Sequence, residues 1–250
     1  MADSDLAREW TQLQSQLLTQ LIQHDDLSFT YDAHTNTFPG LHIVGGVDIS
    51  YPRTDPNHAI VALTILSFPS LSLLHQTTFE VCIDVPYIAG FLAFREIRAY
   101  KQAFAALQVD RPDLMPQILL VDGNGLLHPR RFGSACHLGI ELNVPTIGVA
   151  KSFLHFDDLA HVDAKELKHV FRNGASEIEL KGQSGCVYGK AVQPPGNASN
   201  PIFVSVGHRV SLDMAVHVVR ACSKFRVPEP IRVADQQSRK IAQTIESIVP

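Results

Sequence analysis

The sequence predicts an α/β fold: a central mixed sheet, with an antiparallel meander followed by parallel strands, flanked by helices. Three observations predict it. Three apolar strand-like runs follow one another between residues 41 and 83, with breaks too short for crossover helices, so they pair antiparallel. From Pro86 onward, helical spacing alternates with buried strand runs, the pattern of helix-covered parallel strands. The 250 residues are 45% hydrophobic and 18% charged with no long apolar run, a composition of one soluble globular domain rather than a membrane protein or a disordered chain.

The elements follow in order. Leu6, Trp10, Leu13, Leu17 and Leu21 recur at helical spacing and predict an amphipathic helix over 5–23, so residues 1–30 read as an N-terminal helix and lead-in. "LHIVGGVDISY" (41–51), "AIVALTILSF" (59–68) and "LLHQTTFEVCI" (73–83) read as strands. "YIAGFLAFREIRAYKQAFAALQ" reads as a helix with Pro86 at its start. Next comes "QILLVDGNGLLHPRRFG" (117–133), a buried strand closing on Asp122, then a helical stretch "RFGSACHLGIELN" and a strand "PTIGVAKSFL" (145–154). Residues 155–185 are polar and irregular, as expected of a surface insertion. "CVYGKAV" and "PIFVSVGHRV" form an expected hairpin joined by "QPPGNASN". Two helices close the chain, "SLDMAVHVVRACS" after a Ser211 cap and "VADQQSRKIAQTIES". With no repeat or internal boundary, residues 1–250 are expected to form a single domain. A meander, then helix-strand-helix-strand, then closing helices is the order of a ribonuclease H-like fold.

Charge and cysteine usage narrow the classes. Net charge is −4, yet residues 201–240 hold seven Lys/Arg against three acids, so this segment carries +4 and the remainder −8. A basic C-terminal third can track a phosphate backbone, although a solvated basic surface explains the charge equally well. The four cysteines, Cys82, Cys136, Cys186 and Cys222, show no C-x-x-C spacing, which disfavours a disulfide framework or a zinc site. With an acidic, polar N-terminus and no signal-like segment, an intracellular chain of the cytoplasm or nucleus is expected.

Three acids stand out, each with a plain alternative. Asp48 interrupts a strand, where Asp is depleted, and alternation turns it from the face of Val47 and Ile49; the alternative is a solvated strand face. Glu96 projects from a helical stripe of Leu92, Ala93, Ala99 and Tyr100, costly unless a cation meets it; Arg95 or Arg98 would supply a structural ion pair. Asp122 follows a strand without a polar residue, at the end where α/β sheets gather ligands; ordinary Asp-Gly turn chemistry is the alternative. Two strand carboxylates and one helix carboxylate, with no Cys or paired-His spacing, suit a hard cation such as Mg2+, with Mn2+ as substitute.

At these residues the chain resembles the endonuclease V family, inosine-specific nucleases, in its animal-type members. The blocks that carry the resemblance are "GGVDISY", "PYIAGFLAFRE", "LLVDGNGLLHPRRFGSACHLG", "PTIGVAKS", "PIFVSVGHRVSLDMAV" and "RVPEPIRVAD", in one order from residue 45 to 235. The resemblance implies a ribonuclease H-like fold and magnesium-dependent cleavage one nucleotide 3′ of inosine, leaving a 3′-hydroxyl and a 5′-phosphate. It implies inosine-containing single-stranded RNA first and DNA second as substrate, for a protein expected to be a monomer. It makes Asp48, Glu96 and Asp122 metal-binding catalytic acids, Asp235 a fourth active-site acid and Lys151 a contact to the scissile phosphate. An N-cap duty at a helix start is the alternative for Asp235, and a solvated strand end for Lys151. Tyr87 becomes a base-stacking wedge, with Pro86, Ile88 and Gly90 around it. The amides at Gly123 and Gly125 would approach the base, while His128, His208 and Arg209 lie in matched blocks and compete with structural roles. Three rivals remain at this point: an actin-like ATPase, a generic ribonuclease H-like nuclease and a non-catalytic inosine-binding module. The chain lacks the phosphate loops of the first, and clustered acids near phosphate would not help the last.

Overall fold

The computed structural model describes residues 2–196 and 200–248. Helix α1 (Ala2–Leu18) leads into β1 (Ile43–Ser50), β2 (His58–Ser67) and β3 (Leu73–Cys82). Then come α2 (Leu92–Asp110), β4 (Ile118–Asp122), α3 (Ser134–Leu142) and β5 (Thr146–Ala150). The chain continues through α4 (Ala164–Arg172), β6 (Glu177–Lys181), β7 (Val187–Val192) and β8 (Ile202–His208), and closes with α5 (Leu212–Ala221) and α6 (Glu229–Ile248). One eight-stranded sheet has the order β3-β2-β1-β4-β5-β8-β7-β6. The meander β1–β2–β3 is antiparallel, β1–β4 and β4–β5 are parallel, and the remaining pairs are antiparallel. This is the expected mixed sheet with flanking helices. The predicted hairpin is β7–β8; of its joining loop, residues 197–199 lie outside the described residues.

Alternation along the central strands sorts the core into two layers. Val47, Val121, Leu119 and Leu63 pack with Ala103, Phe104 and Leu107 of α2 and with Leu138 of α3. Val44, Leu120, Ile147 and Val149 pack on the opposite face with Val216 and Val219 of α5 and Ile231 of α6. Both faces of β4 and β5 are therefore covered, which is why those strands are continuous apolar runs.

Several boundaries differ from the sequence reading. Residues 155–185 are not irregular: they hold α4 and the edge strand β6, with Leu159, Leu167, Phe171 and Leu180 buried against Leu127, Tyr188 and Phe203. Charged neighbours hide this pattern in the sequence, and pairing with β7 supplies the order. Helix α2 begins at Leu92, not at Pro86, because Gly90 takes φ +82 and a turn closes from the Phe91 amide to the Ile88 carbonyl. That leaves Pro86 and Tyr87 on a loop. Helix α6 begins at Glu229, so Asp235 lies in its second turn and is no cap.

The seat of α6 depends on one glycine. A Cβ at Gly46 of β1 would lie 2.2 Å from the Pro230 carbonyl carbon and 2.3 Å from its oxygen. That same carbonyl accepts from Thr64 Oγ1 of β2 at 2.7 Å. The first turn of α6 thus rests directly on strand backbone. Gly46→Ala should destabilise the fold by about 1–3 kcal/mol, the usual cost of overpacking, by pushing that turn away. An unchanged melting temperature would contradict this docking.

Candidate active site

Parallel pairing of β1 with β4 sets Val47 opposite Val121. One residue further along, Asp48 and Asp122 come side by side on the face opposite Val47, where α6 packs. Asp235 arrives from α6, and the three carboxylates offer oxygen atoms within 4.8 Å of one another. Lys151, just past β5, joins two of them: its Nζ lies 2.6 Å from Asp122 Oδ2 and 2.7 Å from Asp235 Oδ1. Arg239, one turn further along α6, also reaches Asp235 Oδ1 at 2.7 Å.

Asp48 is 5% exposed, so the solvated-face alternative does not hold. Ser238 Oγ of α6 donates to its Oδ2 at 2.5 Å and sits 2.8 Å from Ser50 Oγ. Burial pushes the Asp48 carboxyl up to about 7; the Ser238 hydrogen bond opposes this, and the charges of Asp122 and Asp235 add to it. Lys151 is held above its ordinary value: burial would lower it, and the two carboxylates outweigh burial.

Glu96 is 4% exposed and comes from α2, on the other face of the sheet. It stands outside the close trio yet feels it. Burial first, then repulsion from Asp48 and Asp122, raise Glu96 to about 8 against a hydrogen bond from Tyr51 Oη at 3.2 Å. The ion-pair alternative fails: among the described ion pairs neither Arg95 nor Arg98 meets Glu96, and Arg95 donates to the Val85 and Pro56 carbonyls and lies over the Tyr51 ring. Two acids raised into the neutral range beside two others make a site short of positive charge. Its all-oxygen donor set fits a hard divalent cation.

The other sequence candidates divide. Tyr87 is 68% exposed on its loop. Pro86 is exposed and Ile88 half-buried beside it. The Gly90 carbonyl, however, is occupied: it accepts from His128 Nε2 at 3.1 Å and Arg130 Nη2 at 2.5 Å. His128 is a structural residue, since its Nδ1 accepts from the Arg130 amide and burial lowers it to about 4. The amides of Gly123 and Gly125 are not free for a base: they donate to Val149 O and Ser205 Oγ. Gly125 instead permits contact, because a Cβ there would meet the Val206 carbonyl at 2.0 Å.

His208 and Arg209 lie at the wrong edge. His208 pairs with Thr146 at the start of β5, whereas Lys151 follows the end of that strand. His208 Nδ1 accepts from the Ile22 amide, and Arg209 binds Asp26 and the Asn143 carbonyl; both brace the N-terminal lead-in. Sequence reasoning missed Ser238 and Tyr51. Ser238 carried a signal: three residues beyond Asp235, it shares that helix face. Among the described residues, no helix is long and apolar enough to cross a membrane.

Comparison with known proteins agrees with this arrangement. The sequence profile of the Endonuclease V family matches residues 26–236. Mouse Endonuclease V is 42% identical over 232 residues, 92% of this chain and 68% of the mouse protein. Human Endonuclease V is 40% identical over 232 residues, covering 92% of this chain and 81% of that protein. The crystal structure of the human catalytic domain has a TM-score of 0.88 at 38% identity, covering 96% of this chain and 98% of that one. Ciona intestinalis Endonuclease V, in complex with a 24mer DNA containing an inosine followed by a ribo-adenosine, has a TM-score of 0.87 at 35% identity, covering 97% and 100%. The mixed sheet, the acid cluster at its edge and these similarities together place the chain in the Endonuclease V family.

Proposed function

We propose that this chain is a Mg2+-dependent endonuclease that cuts single-stranded RNA one nucleotide 3′ of an inosine, leaving a 3′-hydroxyl and a 5′-phosphate. DNA carrying the same base is the second substrate. The carrying observation is the cluster of Asp48, Asp122 and Asp235 around Lys151, with buried Glu96 behind it. The Ciona relative, bound to an inosine followed by a ribose-bearing nucleotide, supports both the base and the sugar. The four cysteines are unpaired, in keeping with an intracellular protein.

Asp48 and Asp122 would hold Mg2+ or Mn2+, with Asp235 and Glu96 completing the donor set. Such an ion lowers the pKa of water and neutralises the leaving oxygen. The chain's own groups do the rest. Lys151, a compact ammonium, faces the phosphate as a point charge. Asp235, held between Lys151 and Arg239, accepts a hydrogen bond from the attacking water. Ser238 fixes the rotamer of Asp48, and Tyr51 that of Glu96. Tyr87, exposed at the loop tip, stacks beside the inosine and holds its neighbour away.

Matched RNA and DNA strands, with and without a single inosine, test the assignment directly in magnesium. Cleavage should require inosine, run faster on RNA and give one product end a nucleotide beyond the base. Equal cutting of adenosine strands would make the protein a generic nuclease.

Removing acids should separate binding from turnover. Asp48→Ala and Asp122→Ala should abolish cutting and still bind inosine strands. Asp235→Ala and Asp235→Asn should lose on the order of a hundredfold in single-turnover rate, and Asp235→His should keep part of it. Melting temperatures should barely follow, because Asp235 caps nothing. Full activity of the Asn variant would remove Asp235 from the chemistry.

The raised acids also set a pH dependence. Asp48 at about 7 and Glu96 at about 8 hold protons that the unfolded chain releases near pH 4. Stability of the metal-free protein from these groups is therefore full below about pH 4 and is lost as pH rises through 7 to 8. A divalent cation must displace those protons. The rise in melting temperature between EDTA and magnesium should be larger at pH 8.5 than at pH 6, and a rise that shrinks with pH would exclude the assignment.

A further inference from the structure

The loop that carries Tyr87 has no helix or strand, yet it is tied down on both sides of the ring: Arg95 donates to the Val85 carbonyl at 2.6 Å, and the Gly90 carbonyl is held beyond it. The Gly90 carbonyl receives Arg130 Nη2 at 2.5 Å and His128 Nε2 at 3.1 Å. The Arg130 guanidinium lies 4.0 Å over the Phe91 ring, and its Nε donates to Gln14 Oε1 at 2.5 Å. Gln14, buried on α1, is fixed in turn by its Nε2 donating to the Phe132 carbonyl at 3.0 Å. The same helix places Trp10 in a stack on Phe94, 4.9 Å away, and against Phe91 at 5.7 Å. Gly90 has φ +82, a left-handed conformation that favours glycine, and Arg130 Nη2 fills the space a Cβ would take.

Arg130 makes no ion pair with an acid among the described residues. Its side-chain hydrogen bonds go to Gly90 and Gln14. An exposed aromatic on a free loop loses affinity to the entropy of ordering that loop on binding, and a pre-ordered loop does not. We infer that Arg130, braced by Gln14 of α1, is a positioning residue for Tyr87: through the Gly90 carbonyl it holds the loop in its strand-binding conformation, making the N-terminal helix part of the substrate-binding apparatus. This rests on the proposed contact of Tyr87 with the substrate strand.

A double-substitution cycle tests it, using the full chain and an inosine-containing single-stranded RNA in EDTA, where binding is read without cleavage. Tyr87→Ala should weaken binding about fivefold or more, as expected for one lost stacking contact. Arg130→Gln and Gln14→Leu should each weaken it about threefold to tenfold, and neither should add to the loss already caused by Tyr87→Ala. Arg130→Lys should not rescue, because an ammonium cannot lie flat on Phe91 while forking to Gly90 and Gln14. For Arg130→Gln and Gln14→Leu, single-turnover rates at saturating RNA should stay within about twofold of the parent, so that the loss is in affinity. Arg130→Gln, changed at a half-exposed side chain, serves as the readout if Gln14→Leu lowers the melting temperature. Losses that add fully to Tyr87→Ala, or restoration by lysine, would show Arg130 acting by itself on the strand and overturn the assignment while leaving the Tyr87 reading intact. No loss from Tyr87→Ala would overturn that reading, and the positioning role with it.

Discussion

Negative charge held at low exposure, where β1 and β4 end side by side, is the constraint on which the rest of this structure depends. Parallel register puts Asp48 next to Asp122, and α6 and α2 add Asp235 and Glu96 from opposite faces. Desolvation and mutual repulsion both oppose ionisation there, and Asp48 and Glu96 respond by holding protons into the neutral range. The neighbouring polar groups serve this difficulty. Lys151 bridges two acids, and Ser238 and Tyr51 hydrogen-bond the two most buried ones. Such a cluster repels itself, and its oxygen donors could hold a divalent cation. That is the condition for metal-assisted phosphodiester chemistry rather than for stability.

Close backbone approach is the second ingredient. Gly46 lets the first turn of α6 rest on β1, which carries Asp235 and Ser238 to Asp48. Gly125 and Gly148 let the turn after β4 lie against β8 and β5, which holds the end of β4 still. The glycines of this turn therefore act through packing: their amides are already bonded within the chain. Rigid acids on sheet strands need a rigid edge, and backbone contact provides more of it than side-chain filling.

The Tyr87 loop solves the complementary problem. Its exposed ring stands outside the sheet, so no strand holds it, and polar bonds converging on the Gly90 carbonyl do so instead. His128 shows how a residue inside a functional block can serve function indirectly. Buried and neutral, with both ring nitrogens occupied, it cannot meet a phosphate, and it holds the Tyr87 loop through the Gly90 carbonyl.

The order of elements, the meander, the buried strand ending on Asp122 and the odd placement of Asp48 and Glu96 were legible in the sequence, because each follows from local periodicity and from polar residues out of place in it. Family resemblance added Asp235, Lys151 and Tyr87. Other outcomes depended on contacts between distant segments, which no local pattern records. A cap stayed open as the alternative for Asp235 until Gly46 and Pro230 set α6 one turn earlier. His208 and Arg209 looked like binding residues until antiparallel pairing of β8 with β5 carried them to the opposite edge. Residues 155–185 looked irregular until β7 gave β6 a partner. Glu96 looked like a member of the closest trio, but its helix lies on the other face of the sheet. The sequence alone determined which acids the protein has and which elements bear them. Only the tertiary structure decided which of them meet, because register, strand order and helix seating are set by the partner segment, not by the residue's own neighbours.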